Sequence, residues 1–206
     1  MRLRIMAAEL WEYVENTLLI ESETIKDLIS NVSKEEVFEV IEEIKECKGR
    51  IVVAGCGTSG VAAKKIVHSL CCIERPAYYL NPSDAVHGQL GLVQEGDLVI
   101  LLSKGGKTSE IASLIPALKS KKVKMIAVTE NVDSIIAKEA DIILKVEVRR
   151  EPCPFNMLAT ASTLAVISLF DAITISLMHE TNYTKDQFAV IHPGGAVGEQ
   201  LLNKSR

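Results

Sequence analysis

Ile51-Val52-Val53-Ala54-Gly55-Cys56-Gly57-Thr58-Ser59-Gly60 is a short aliphatic run that ends in a glycine-rich turn. Near-continuous apolar runs mark strands covered on both faces, as in a parallel sheet. Glycines directly after such a run let the chain turn sharply into a helix. Working outward, the same alternation recurs. Ala77-Tyr78-Tyr79-Leu80, Leu98-Val99-Ile100-Leu101-Leu102, Met125-Ile126-Ala127-Val128 and Ile142-Ile143-Leu144-Lys145-Val146 are further strand candidates, with helical patterns over 61–73, 109–121 and 133–139 between them. Repeated β-α-β units with right-handed crossovers predict an α/β fold, a three-layer α/β/α sandwich on a five-stranded parallel sheet. Ligands of such sheets bind outside the carboxyl ends of the strands.

Two helices precede this core. Helical spacing predicts the first over 5–29, with Leu10, Val14, Leu18, Ile25 and Leu28 on one face. Ser33 and Glu36 form a capping box for the second, and Gly49 sits where a left-handed cap is wanted. The 206 residues, 48% hydrophobic and 24% charged, fit a single domain, with a helical segment over 1–49 and the α/β core and C-terminal segment over 50–206. A net charge of −4 and 4% aromatics leave neither a basic stripe nor stacking platforms for nucleic acid. Five cysteines without a Cys-x-x-Cys pair suggest a reducing cytoplasm rather than a disulfide framework. His68, His87, His179 and His192 lack close ligand spacing, so no metal is expected. Residues 157–178 are long enough to span a bilayer. They carry Asp171 and six hydroxyls, and the expectation is a buried helix and no membrane.

The first glycine loop matches G-x-G-x-x-G, a pattern that lets backbone amides and a helix N-terminus approach a phosphate. A dinucleotide would require an acidic residue at the end of the second strand. That strand ends Leu80-Asn81-Pro82, with Asp84 only after the proline. The loop therefore reads as an anion site furnished by Gly57, Thr58 and Ser59, or as a tight turn, and no redox cofactor is expected. Ser103-Lys104-Gly105-Gly106-Lys107-Thr108-Ser109-Glu110 leaves the third strand in the same way. Gly105 and Gly106 permit close backbone approach, Thr108 or Ser109 can cap the helix, and Lys104 and Lys107 add positive charge. Two such loops on one sheet edge point to a phosphorylated small molecule.

At these loops the sequence resembles the SIS (sugar isomerase) domains, and most nearly their arabinose 5-phosphate isomerase branch. That branch carries Gly-x-Gly-Lys-Ser-Gly after its first strand and Ser-Asn-Ser-Gly-Glu-Ser-Ser-Glu after its third. Asn81-Pro82-Ser83-Asp84-Ala85-Val86-His87-Gly88-Gln89-Leu90-Gly91 resembles His-Pro-x-Glu-Ala-x-His-Gly-Asp-Leu-Gly. Glu151-Pro152-Cys153-Pro154 resembles Glu-Ala-Cys-Pro, and the segment from His192 to Gly198 resembles His-Pro-Gly-Gly-Ala-Leu-Gly. The resemblance implies catalytic carboxylates at Glu110 and Glu151 and an active-site histidine at His192. It also implies dimers or tetramers with sites near subunit interfaces. The branch often continues into a pair of CBS modules that these residues lack, so regulation through such modules is not expected.

Aldose–ketose isomerisation needs a base beside the carbonyl, an acid for the neighbouring carbon and a polar group for the enediolate. Glu110, Glu151, His87 and His192 are the candidates. Each also has a plainer role: Glu110 can complement a helix dipole, Glu151 can pair with Arg149 or Arg150, and His87 can cap or pack. The branch lysine of the first loop is Thr58 here, so Lys104 or Lys107 is expected to supply that cation from the second loop. The leading expectation is an isomerase acting on a phosphorylated sugar. The alternative is a non-catalytic SIS module that senses one.

Overall fold

The computed structural model describes residues 2–194 and residue 198. Helices α1 (Arg2–Asn31) and α2 (Lys34–Glu46) precede strand β1 (Ile51–Gly55) and helix α3 (Gly57–Cys71). The strands β2 (Ala77–Leu80), β3 (Leu98–Leu102), β4 (Lys124–Thr129) and β5 (Ile142–Lys145) complete an all-parallel sheet in the order β2-β1-β3-β4-β5. Every strand falls on its apolar run. Both β1 and β3 are buried at all positions, as strands covered on both faces must be.

Alternate side chains feed two cores. Ile51, Val53, Ile100 and Leu102 pack against α2, α3 and the long helix α8 (Ala161–Glu180). Val52, Ala54, Val99 and Leu101 pack against the short helices α4 (Pro82–Ala85), α5 (Ser109–Ala112), α6 (Ile115–Ser120) and α7 (Ile135–Glu139). This is the expected three-layer sandwich. The sheet order reverses between β1 and β3, whose ends lie side by side with Gly55 opposite Leu102. The loops after these two strands therefore open into one crevice.

Several local expectations need correction. Gly49 is not left-handed: the positive-φ glycines are Gly57, Gly88, Gly96 and Gly106. A Cβ at Gly49 would come within 2.5 Å of the Gly96 carbonyl, so close approach is what requires glycine there. The capping box of α2 is half formed. Ser33 Oγ accepts the Glu36 N–H at 3.2 Å, but the Glu36 carboxylate accepts the Lys145 N–H of β5 at 2.9 Å. The helix expected over 109–121 breaks into α5 and α6, because Pro116 has no N–H to continue the ladder. Of the expected α1 face only Leu28 is buried. It joins Ile20 and Thr24 in a narrow line, and Leu10, Val14 and Leu18 stay exposed.

Residues 157–178 were expected to form a buried helix, and α8 is long and apolar enough to cross a membrane by length and composition. It buries Leu169, Phe170, Ile173 and Leu177 in the core, and Asp171 pairs with Lys65 of α3. Helices α4 and α9 (Lys185–Ile191) and a 3₁₀ turn over Gln89–Leu92 were not anticipated. A capping box between Thr184 and Gln187 announces α9.

Buried Asp97 closes the N-terminal edge of the sheet. Its carboxylate accepts the Arg50 and Gln94 amides at 2.8 and 2.9 Å and pairs with the Arg50 guanidinium at 3.3 Å. Asp97→Ala strands those donors. It is expected to lower stability by about 2–3 kcal/mol, read as a lower urea midpoint at unchanged slope.

Candidate active site

The crevice begins with α3. A Cβ on Gly60 would meet the Gly55 carbonyl at 2.8 Å and the Tyr79 hydroxyl at 2.9 Å, and that hydroxyl donates to the Gly55 carbonyl at 2.8 Å. These contacts draw the first turn of α3 onto the end of β1. Gly57, at φ +55°, makes the reversal. Thr58 is exposed at the helix N-terminus, and half-buried Ser59 lines a cavity with Leu102, Ser103, Lys104 and Ser162. Backbone amides, the helix dipole and two hydroxyls suit an anion there.

The second loop divides its residues between shape and surface. Buried Ser103 accepts the Gly106 N–H at 3.1 Å and shares a 2.8 Å hydrogen bond with Thr108 Oγ1. Thr108 stands at the N-cap of α5 but makes no capping hydrogen bond. Gly106, at φ +64°, lies so close to Ser134 that a Cβ would overlap its Oγ. Ser103, Gly106 and Thr108 thus hold the loop together. Gly105 faces open space, and Lys107 is exposed with no ion-pair partner among the described residues.

Glu151 is bonded to two residues of that cavity, Lys104 and Ser162. It is 3% exposed, and Lys104 Nζ lies 3.0 Å from its Oε1. Ser162 Oγ also donates to Oε1, and Oε2 accepts the Thr160 and Ser162 amides at 3.0 and 3.4 Å. Burial pushes this carboxyl up, but the donors from Ser162, Thr160 and Lys104 outweigh it and hold its pKa below the ordinary value. The carboxylate also caps α8, whose own N-cap Thr160 makes no side-chain cap bond. Arg149 pairs instead with Asp27 at 2.9 Å, so the expected alternative, a surface pair with Glu151, is not formed by that residue. The loop that carries Glu151 is rigidified by Asn156, which accepts the Glu151 N–H at 2.7 Å. Cys153 Sγ accepts the Met157 and Leu158 amides at 3.2 and 3.1 Å.

The other candidates make no hydrogen bond or ion pair with Glu151 among the described residues. Glu110 is exposed in the first turn of α5, and its own amide and the Ser109 hydroxyl lower its pKa. Burial raises the thiol of Cys56 in the first loop, and the charge of Glu110 raises it further. His87 is exposed after α4, which packs on α5. His192 ends α9, stacked on Phe188 at 3.8 Å, with Nδ1 2.9 Å from the Phe188 carbonyl. Since a carbonyl only accepts, Nδ1 donates this hydrogen bond. No hydrogen bond joins His192 to Glu110 or Glu151 among the described residues. Gly195, Ala196 and Val197 of its motif lie outside the described residues. Sequence reasoning missed Ser162 and Thr160 as donors, reading their hydroxyls only as an argument against a membrane.

A family model for the SIS domain matches residues 43–176, from α2 into α8. The chain belongs to the SIS domain family. A solved SIS structure from Listeria monocytogenes, carrying a provisional sugar-phosphate isomerase name, superposes with TM-score 0.89 at 58% identity over 90% of this chain and 97% of that one. A second, from Escherichia coli CFT073 and solved in complex with arabinose 5-phosphate, superposes with TM-score 0.86 at 27% identity over 90% and 98% of the two chains. The arabinose 5-phosphate isomerase KpsF of Escherichia coli O6:H1 is 35% identical over 191 residues, 93% of this chain and 58% of the relative. The chain thus spans a little over half the length of the curated relatives it matches.

Proposed function

We propose that this SIS domain is an aldose–ketose isomerase of a phosphorylated sugar, close to arabinose 5-phosphate isomerase. The observation that carries the reading is a buried, ionised Glu151 paired with Lys104, which itself lines the cavity beside Ser59 at the N-terminus of α3. The relatives named as arabinose 5-phosphate isomerases support a pentose phosphate as substrate. Thr58, Ser59 and the exposed face of the second loop, with Gly105 and Lys107, hold the phosphate.

In the reaction a carboxylate removes the proton beside the carbonyl, the C–H pair forms the new C=C bond, and the carbonyl oxygen takes the charge. The adjacent hydroxyl gives its proton to that oxygen and becomes the new carbonyl, as the C=C pair takes the abstracted proton back at the former carbonyl carbon. Glu151 and Glu110 are the carboxylates proposed for these transfers, with His192 and His87 serving the ring and hydroxyl protons. Incorporation of solvent deuterium next to the carbonyl, across pentose and hexose phosphates, is the expected result. Thermal stabilisation without exchange assigns the domain to sensing instead, a reading favoured by Thr58 in place of the branch lysine.

The proposed enzyme is cytoplasmic, in keeping with five free cysteines, and is a homodimer or homotetramer. Leu10, Trp11, Tyr13 and Leu18 of α1 are each more than half exposed, and α9 buries no residue. Such apolar surface suits a second subunit. His192, which makes no hydrogen bond to Glu110 or Glu151 of its own chain among the described residues, is then available to a neighbour. Mixed oligomers of equal amounts of inactive His192→Ala and Glu110→Gln chains are expected to regain about one quarter of the activity lost, as random pairing leaves that share of sites intact. No recovery overturns the shared site.

A further inference from the structure

A carboxylate offers about four lone-pair sites, and all four of Glu151 are occupied by Lys104, Ser162 Oγ and the Thr160 and Ser162 amides. None is left for a substrate proton. Two of these donors are backbone amides of α8 and its cap and cannot leave without unwinding its first turn, and the third, the Ser162 hydroxyl, is uncharged. The fourth differs: Lys104 is a long side chain, 39% exposed, that enters from the loop after β3 and borders the same cavity as Ser59 of α3. It is also the one charged side chain within ion-pair distance of Glu151 among the described residues. The other groups that contact the carboxylate, Ser162 and Thr160, are neutral.

We propose that Lys104 is a positioning residue that masks Glu151 before substrate binds and releases it when the phosphate of the substrate draws the ammonium toward the N-terminus of α3. This rests on the isomerase reading. Release frees one lone pair on Oε1 for the proton beside the carbonyl and removes the nearest positive charge, so the base strengthens only with substrate in place. The phosphate therefore contributes to turnover as well as to binding, as remote binding energy can. The arrangement also disfavours proton abstraction from unphosphorylated sugars.

The test follows Glu151 itself. Carboxyl ¹³C NMR of the full chain, assigned by Glu151→Gln, is titrated with and without inorganic phosphate. In the wild type, phosphate is expected to move the Glu151 midpoint upward. In Lys104→Met the midpoint is already raised and phosphate leaves it unchanged, whereas Lys104→Arg retains the response. An unresponsive wild type, or an equal response in Lys104→Met, overturns the proposal. This readout needs no turnover, so it stands or fails separately from the isomerase assay. In that assay, phosphite added to an unphosphorylated pentose is expected to raise deuterium exchange at least about tenfold in the wild type, roughly the effect of one charge contact. The same addition is expected to do nothing in Lys104→Met.

Discussion

Glu151→Gln is expected to lower deuterium exchange into the sugar phosphate by about 10²–10⁴-fold, the usual contribution of a positioned acid–base group. The amide matches the shape of the carboxylate but cannot take up a proton. It also turns an NH₂ toward donors that Glu151 now satisfies from both oxygens, at a cost of about 1–3 kcal/mol in stability. Calorimetry separates the effects, because a melting loss of that size leaves the protein folded at assay temperature. pH adds a second signature. A carboxyl whose folded pKa is depressed stabilises the protein above its unfolded pKa, and that stability is lost as pH falls through the folded value. In Glu151→Gln the acid limb of the stability curve is therefore shallower than in the wild type. An unchanged limb together with unimpaired exchange assigns Glu151 to neither role.

Gly106→Ala is expected to be the most damaging small substitution in the crevice. The residue holds φ +64°, where a β-carbon is strained, and the added methyl would overlap Ser134 Oγ and stand 3.1 Å from Thr129 Oγ1. Ser134 cannot retreat freely, since its hydroxyl caps α7 by accepting the Ala137 N–H at 3.3 Å. Backbone strain of about 1–2 kcal/mol and overpacking of about 1–3 kcal/mol together predict a loss of about 3–4 kcal/mol. For a chain of this size that lowers the melting temperature by roughly 6–16 °C. Gly105→Ala, whose added methyl would meet nothing within 4 Å, is the control and is expected to melt within about 2 °C of the wild type.

The strands were legible because burial on both faces forces continuous apolar runs, and those runs have no rival reading between glycine-rich turns. The loops at the strand ends were legible for a related reason, since Gly55, Gly57 and Gly60 mark a turn few other residues can make. The sequence was silent on which loop residues serve shape and which serve chemistry. Ser103 and Thr108 carry the same hydroxyls as Ser59 and Thr58, yet Ser103 and Thr108 bond to each other, while Ser59 lines the cavity and Thr58 does not. The partnership of Glu151 with Ser162 joins the end of the sheet to the start of α8 across an apolar stretch whose periodicity suggests only burial. The break between α5 and α6 follows from Pro116 in the first turn of α6, but helical propensity on either side conceals it in the sequence.

The bond from Glu36 to the Lys145 amide has a consequence for assembly. β5 is the last strand of the sheet, and an exposed last strand is a template for pairing with another chain. By occupying an outward-facing amide, and with α2 packed against β5, Glu36 blunts that template. Extension of the sheet by a partner's strand, or by an aggregating chain, would first have to displace α2. At that edge, then, a second chain would meet helix α2 before it met an open strand.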